Sequence, residues 1–422
     1  MHASESISPH PTTEPRVDHT SPHIVVGITD AQTCLNLKGR LRALGEAGFR
    51  VTLVASPGKL LDQTAAEQGA RAVALPIHRK IAPFSDLVSL VRLLRMLRRL
   101  GPDMTEFSTP KAGLLGTIAA RIARVPVRVY MLRGFKFEGA TGWKRRLLLA
   151  TERVSAACAH VVLCNSQSMR AKALELGAAP AAKLALLGNG STNGVNVDHF
   201  SPGQSHVREA FGIPRDAPVI GFVGRLTRDK GVPELVESFE EVLKIVPDAR
   251  LLLVGWFDSA EDGLSPLQQA CICSHPRIHC TGRRVEDPAP YYRAMDIFVL
   301  PTWREGFPNV VLEAGATGIP VVTTESTGSR DSVIPELTGL LIPPGSPLAI
   351  TESVLKLLRD PQRRSRMGTA ARNWVCENFS DAQVLGQVAH FYSTLVREER
   401  CRRGGGSDFR GTEQSSTRFG PR

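Results

Sequence analysis

The segment GFVGRLTRDKGVPELVESF, residues 221–239, opens as an apolar strand, stops at a glycine, passes two cations and restarts as a helix near Pro233. An apolar, β-branched run followed by an amphipathic one is a single strand-loop-helix unit of a parallel sheet. The same alternation surrounds it. PVIGFVG (218–224), ARLLLVG (249–255), RIHCTG (277–282), DIFVLP (296–301) and PVVTT (320–324) read as strands with helical patterns between them. In the first half HIVVGIT (23–29), RVTLVAS (50–56), ARAVALP (70–76), VRVYML (127–132) and HVVLCNS (160–166) repeat the arrangement. The fold class is α/β, as two Rossmann-like domains in tandem.

GNGSTNGVNVDHFSPG (188–203) is dense in Gly, Asn and Ser and has no helical period, which makes it the linker. The first domain then spans 22–203 with that linker, and the second spans 204–398. Residues 1–21 lack the basic start and apolar stretch of a secretory signal and read as a disordered leader. Residues 399–422, rich in Gly, Ser and Arg, read as a disordered basic tail.

Hydrophobic residues at 42% and charged residues at 22% are ordinary for a globular chain of 422 residues, and no apolar run approaches the roughly 20 residues that cross a bilayer. Eight cysteines without a secretory signal fit a reducing cytoplasm. Cys271, Cys273, His275, His279 and Cys280 match no common zinc spacing. The net charge of +11 is concentrated: residues 84–153 hold 14 Lys or Arg against 5 Asp or Glu. Such surface attracts nucleic acid, acidic lipid headgroups or a diphosphate-bearing substrate. DLVSLVRLLRMLRRL (86–100) gathers Arg92, Arg95, Arg98 and Arg99 on one helical face, and Arg145 and Arg146 extend the basic surface. That helix either lies on a membrane or packs on the sheet with a solvated basic edge.

Open α/β sheets bind ligands where strand ends lead into helix N-termini. After the strand ending at Gly224, Arg225 and Lys230 suit a diphosphate, whose charge grows as a glycosyl bond breaks. Pairing of these cations with Asp229 or Glu234 is the structural alternative. The second such segment is PTWREGFPNVVLEAGATGIPVVTT (301–324), in which Glu305 precedes a turn and Glu313 lies inside the helix that Asn309 begins. One carboxylate accepts from two neighbouring hydroxyls, so a hexose and a ribose are natural partners for this pair.

GFVGRLTRDKG followed about 75 residues on by EGFPNVVLEAGATGIPVVTT resembles glycosyltransferase family 4, the retaining enzymes of GT-B fold. The resemblance extends through FSTPKAGLLGTIAARIARVPVRVYMLRGFKFE and the linker, and is strongest to bacterial transferases that build O-antigen, capsule or exopolysaccharide on a polyprenyl diphosphate carrier. It implies two domains facing a central cleft, with Arg225 and Lys230 on the donor diphosphate and Glu305 on the transferred sugar. Glu313 would hold the ribose, and Gly224 and the backbone of Gly306, Phe307 and Asn309 would line the donor site. Glu305, Arg225 and Lys230 would be the catalytic set. The implied reaction is metal-independent and needs no cofactor beyond the nucleotide sugar, with positive side chains in place of a divalent ion. The implied partners are a nucleotide sugar, a lipid-linked glycan acceptor and an anionic membrane, at the inner face of the plasma membrane from the cytoplasmic side, and no nucleic acid. The chain departs from the family in two places. It carries TDAQTCLNLKG (29–39) where relatives have a Gly-Gly turn, and Arg133 where many have His. Arginine cannot serve as a base, and Arg133 is a candidate for holding phosphate. Competing readings are a GT-B nucleotide-sugar 2-epimerase, a phosphorylase, a paired-Rossmann dehydrogenase, for which a Gly-x-Gly-x-x-Gly is missing, and a nucleic-acid-binding protein, for which 6% aromatics is poor.

Overall fold

The computed structural model describes residues 21–37, 39–78, 82–258 and 262–404, the Lys136 side chain excepted. The expected leader, apart from Ser21, and residues 405–422 of the expected tail lie outside them.

Seven strands form the first sheet: β1 (His23–Gly27), β2 (Arg50–Ala55), β3 (Arg71–Ala74), β4 (Met104–Ser108), β5 (Val127–Leu132), β6 (Val161–Cys164) and β7 (Leu184–Leu186). Their spatial order is β3-β2-β1-β4-β5-β6-β7, all parallel. Six strands form the second: β8 (Val219–Val223), β9 (Arg250–Val254), β10 (Ile278–Cys280), β11 (Ile297–Leu300), β12 (Val321–Thr324) and β13 (Gly339–Ile342), ordered β10-β9-β8-β11-β12-β13 and again parallel. Helices cover both faces, so β1, β4, β8 and β9 are buried at every residue; β1, β8 and β9 read as mostly apolar runs rather than alternations, whereas β4 (MTEFS) carries the buried Glu106. The strand order reverses between β1 and β4, and again between β8 and β11. Those are the two crevices where ligands enter a doubly wound sheet.

The ends of the chain depart from the expected boundaries. The expected tail begins at 399, yet one helix runs from Asp381 to Gly404, its last turns tied by Glu399 to Arg402 and Arg403. This helix does not close the second domain. Val388, Ala389, Tyr392 and Val396 pack in the first domain's core with Ile24, Leu41 and Met131. At its centre, fully buried Arg40 pairs with Glu106 at 2.7 Å, and the Tyr392 hydroxyl reaches the same carboxylate oxygen at 2.7 Å. Arg40 also donates to the Thr192 carbonyl in the linker. The chain therefore crosses between domains twice.

Candidate active site in the interdomain cleft

Five strand ends converge on one cleft of about 390 Å³. Thr33 and Asn36 follow β1, Thr109 and Pro110 follow β4, and Arg133 to Phe135 follow β5. From the second domain, Arg225, Asp229 and Lys230 follow β8, and Arg304 to Gly306 follow β11. Backbones approach closely here. A Cβ on Gly306 would stand 1.8 Å from the Arg133 carbonyl oxygen across the domain boundary, and one on Gly255 would stand 1.7 Å from the Gly224 carbonyl. Only glycine permits either approach.

Thr109 holds φ 69° and ψ 147°, a conformation that β-branched residues rarely adopt and that costs on the order of 1–3 kcal/mol. It is held by a 2.6 Å hydroxyl contact with Thr29 and by the helix Pro110–Ile122 that starts at once after it. Strain kept in a cleft wall fixes where that helix N-terminus points.

The charges of the second domain are bound into a network. Arg225 contacts Asp229 and Asp258 at 3.2 Å each, Lys230 contacts Glu305, and Arg304 contacts Asp262 at 2.8 Å and Asp229 at 3.8 Å. Burial alone would raise the Asp229 carboxyl, but the Thr227 hydroxyl, Lys230, Arg225 and Arg304 outweigh it and hold it below the ordinary range. Asp229 thus braces Arg225 and Arg304 at one mouth of the cleft, while Lys230 is taken by Glu305. On the other side Glu138 joins the domains, pairing with Lys172 at 2.7 Å and accepting from Thr327. Asp331 likewise accepts from the backbone and hydroxyl of Ser168.

Residues 38–190 match the family described as "Glycosyl transferase 4-like domain", and residues 217–360 match "Glycosyl transferases group 1". The capsular polysaccharide biosynthesis glycosyltransferase CapM of Staphylococcus aureus is 33% identical over 88% of this chain and 97% of its own. The chain is a member of glycosyltransferase family 4. A UDP-Gal:α-D-GlcNAc-diphosphoundecaprenol α-1,3-galactosyltransferase of Escherichia coli is 27% identical, over 78% of this chain and 85% of that one. The crystal structure of Anabaena HepE in complex with UDP-glucose superposes with a TM-score of 0.72 at 20% identity, covering 88% and 99% of the two chains. The fold is GT-B.

In this glycosyltransferase the cleft brings together Arg225, Lys230, Glu305, Gly306 and Arg133 of the expected site. The pairing of Arg225 with Asp229 is present, but Glu234 is taken by the Trp303 indole instead of a cation. The other expected residues are not among those lining the cleft. Gly224 follows β8, Phe307 packs on Phe379, and Asn309 accepts from Ser191 at 3.4 Å. Glu313, 3% exposed, is held by the Tyr292 hydroxyl at 2.9 Å. Sequence reasoning missed Arg304, although it stands beside Glu305 in the same loop. It also missed Asn165, whose position opposite Gly306 depends on the domain packing. Among the described residues no group of three or more His, Cys, Asp or Glu is placed to hold a metal ion.

Proposed function

We propose that this glycosyltransferase moves a sugar from a UDP-sugar to a glycan on a polyprenyl diphosphate carrier, with retention and without a divalent ion, during cell-surface polysaccharide synthesis. The observation that carries the reading is the contact between Lys230 and Glu305, with Arg225 beside them, at the mouth of a cleft walled by both domains. A donor diphosphate takes Lys230 and Arg225 and frees Glu305 for the sugar hydroxyls, while Glu313, steadied by Tyr292, receives the ribose. As the bond from the anomeric carbon to the diphosphate breaks, the acceptor oxygen bonds on the same face, and its proton passes to a β-phosphate oxygen. The cations stabilise the charge left on the diphosphate, the role a metal plays elsewhere.

A polyprenyl carrier stays in the bilayer, so the enzyme has to reach it. No helix among the described residues is long and apolar enough to cross a membrane. The helices Pro83–Leu100 and Gly142–Cys158 flank the helix Pro110–Ile122 and combine exposed cations with exposed apolar side chains. Phe84 is 90% and Trp143 76% exposed, beside Leu87, Leu147, Arg92, Arg95, Lys144 and Arg146. Cations near an anionic leaflet contribute about 1 kcal/mol each, and aromatic side chains favour the headgroup level. These side chains support a reading in which the enzyme works at the inner face of the plasma membrane, from the cytoplasm.

The deciding experiment incubates the protein with a panel of UDP-sugars and a short-chain polyprenyl diphosphate glycan and follows the product by NMR. Transfer with the donor's anomeric configuration kept is expected. An inverted anomer removes the retaining assignment, and epimerised donor without transfer favours a 2-epimerase.

A further inference from the structure

Arg133 stands at the end of β5, and its backbone touches Gly306 of the other domain. Its Nε and Nη2 are buried and have no hydrogen-bond partner. Desolvation, reinforced by the like charge of Arg40, pushes the guanidinium down to about 10. The neighbouring charges do not compensate it. Arg40 and Glu106 neutralise each other at 2.7 Å, and the Tyr392 hydroxyl, whose pKa burial raises well above the ordinary value, is uncharged. The Arg40–Glu106–Tyr392–Arg133 group therefore carries one net positive charge in a buried place, an arrangement that burial opposes unless an anion arrives. Asn165, after β6 and 5% exposed, lies next to Gly306 as well, and its Oδ1 is buried without a partner. The Arg133 carbonyl and the Asn165 side chain thus border the glycine that follows Glu305, and both residues carry buried side-chain atoms without a partner.

We infer that Arg133 and Asn165 form a receiving site for a substrate oxyanion and its neighbouring hydroxyl, separate from the Arg225–Lys230 pair. The inference rests on the reading of the cleft as a sugar-transfer site and names what that site selects. The oxyanion has two sources of shared chemistry: the carboxylate of a uronic acid as the transferred sugar, or the phosphate of the lipid carrier. Arg133 makes a planar two-donor contact with either, which neither histidine nor lysine at that position reproduces.

The test uses the full chain in wild-type, Arg133→Met, Arg133→Lys and Asn165→Ala forms. UDP binding, measured by calorimetry, is expected to be equal in wild type and Arg133→Met, and its absence from wild type counts against the transfer reading itself. UDP-loaded protein is then titrated with farnesyl diphosphate and with glucuronate, and with farnesol and glucose as neutral controls. One anionic probe is expected to bind wild type at least tenfold more tightly than Arg133→Met, with part of the loss recovered in Arg133→Lys and a smaller loss in Asn165→Ala. Farnesyl diphosphate in that role assigns the carrier, and glucuronate assigns the transferred sugar. The ligand-free Arg133→Met protein is expected to melt at or above the wild-type temperature, because an uncompensated charge has been removed. Equal affinity of both anionic probes for wild type and Arg133→Met, or failure of both to bind wild type, overturns the inference. So does a melting temperature lowered by several degrees, which marks Arg133 as a structural partner of Glu106.

Discussion

Replacing Glu152 by glutamine changes how stability depends on pH, by an amount that follows from its surroundings. Glu152 lies on the helix Gly142–Cys158, 5% exposed, and accepts a 2.6 Å hydrogen bond from Tyr130, which itself lines the cleft. Burial raises its carboxyl from 4.5 to about 7, against the smaller opposing effect of the Tyr130 hydroxyl. Below about pH 4.5 both folded and unfolded chains hold the proton, and the residue costs nothing. Between 4.5 and about 7 the folded chain keeps a proton that the unfolded chain has released, so stability falls as pH rises. Above that window the penalty is complete. At about 1.4 kcal/mol per pH unit, the interval amounts to roughly 3 kcal/mol. For a domain of this size that is on the order of 5–10 °C in melting temperature. Glutamine never ionises, and any fixed cost of its carboxamide shifts every pH alike. The difference in melting temperature, Glu152→Gln minus wild type, is therefore expected to grow by that amount between pH 4.5 and pH 8 in calorimetric scans. Parallel pH curves for the two proteins refute the reasoning.

Lys230→Ala and Arg225→Ala are each expected to slow sugar transfer by about 100-fold or more, from the loss of leaving-group stabilisation; near wild-type turnover in both reduces them to surface ion pairs. Glu313→Ala should weaken UDP binding in calorimetry, whereas Glu305→Gln should chiefly lower turnover, because in the proposed mechanism the first is set on the nucleotide and the second on the reacting sugar. Transfer is expected to persist in excess EDTA, and a loss restored by magnesium or manganese transfers the charge-balancing role to a metal. Flotation with anionic liposomes at low salt is expected to recover the protein, with binding reduced at high salt and in Phe84→Ser/Trp143→Ser and in Arg92→Ser/Arg146→Ser, and unchanged recovery in those variants ends the membrane reading.

Ten of the thirteen described strands were legible because a parallel strand covered on two faces tends to be an apolar run, as VIGFV and RLLLV largely are, and because glycines mark strand ends; β4, whose MTEFS is buried but polar, and the short β7 and β13 were not. That Arg225, Lys230 and Glu305 meet in the cleft was legible because they occupy the loops after β8 and β11, which topology alone makes a ligand crevice. Contacts between segments far apart in sequence were not. The helical period of Asp381–Gly404 shows that one face is buried, but nothing local says that the face enters the first domain, 286 positions from the partner that Tyr392 finds in Glu106. Arg133 looks like any cation after a strand, and only the Arg40–Glu106 pair shows that its own charge is left over. Thr109 carries no local signal for its positive φ, since that angle is imposed by Thr29 and the helix behind it.

The docking of Asp381–Gly404 into the first domain sets an order of events on the ribosome. The first domain's sheet is complete once β7 has emerged, but its core lacks Val388, Tyr392 and Val396, and Arg40 and Glu106 have no hydroxyl between them. At synthesis rates of about 5–20 residues per second, that half waits roughly 10–40 s while the second domain is made. The domain made first is then the last to finish folding, and a chain stopped short of Tyr392 leaves it with an open core for chaperones and proteases to find.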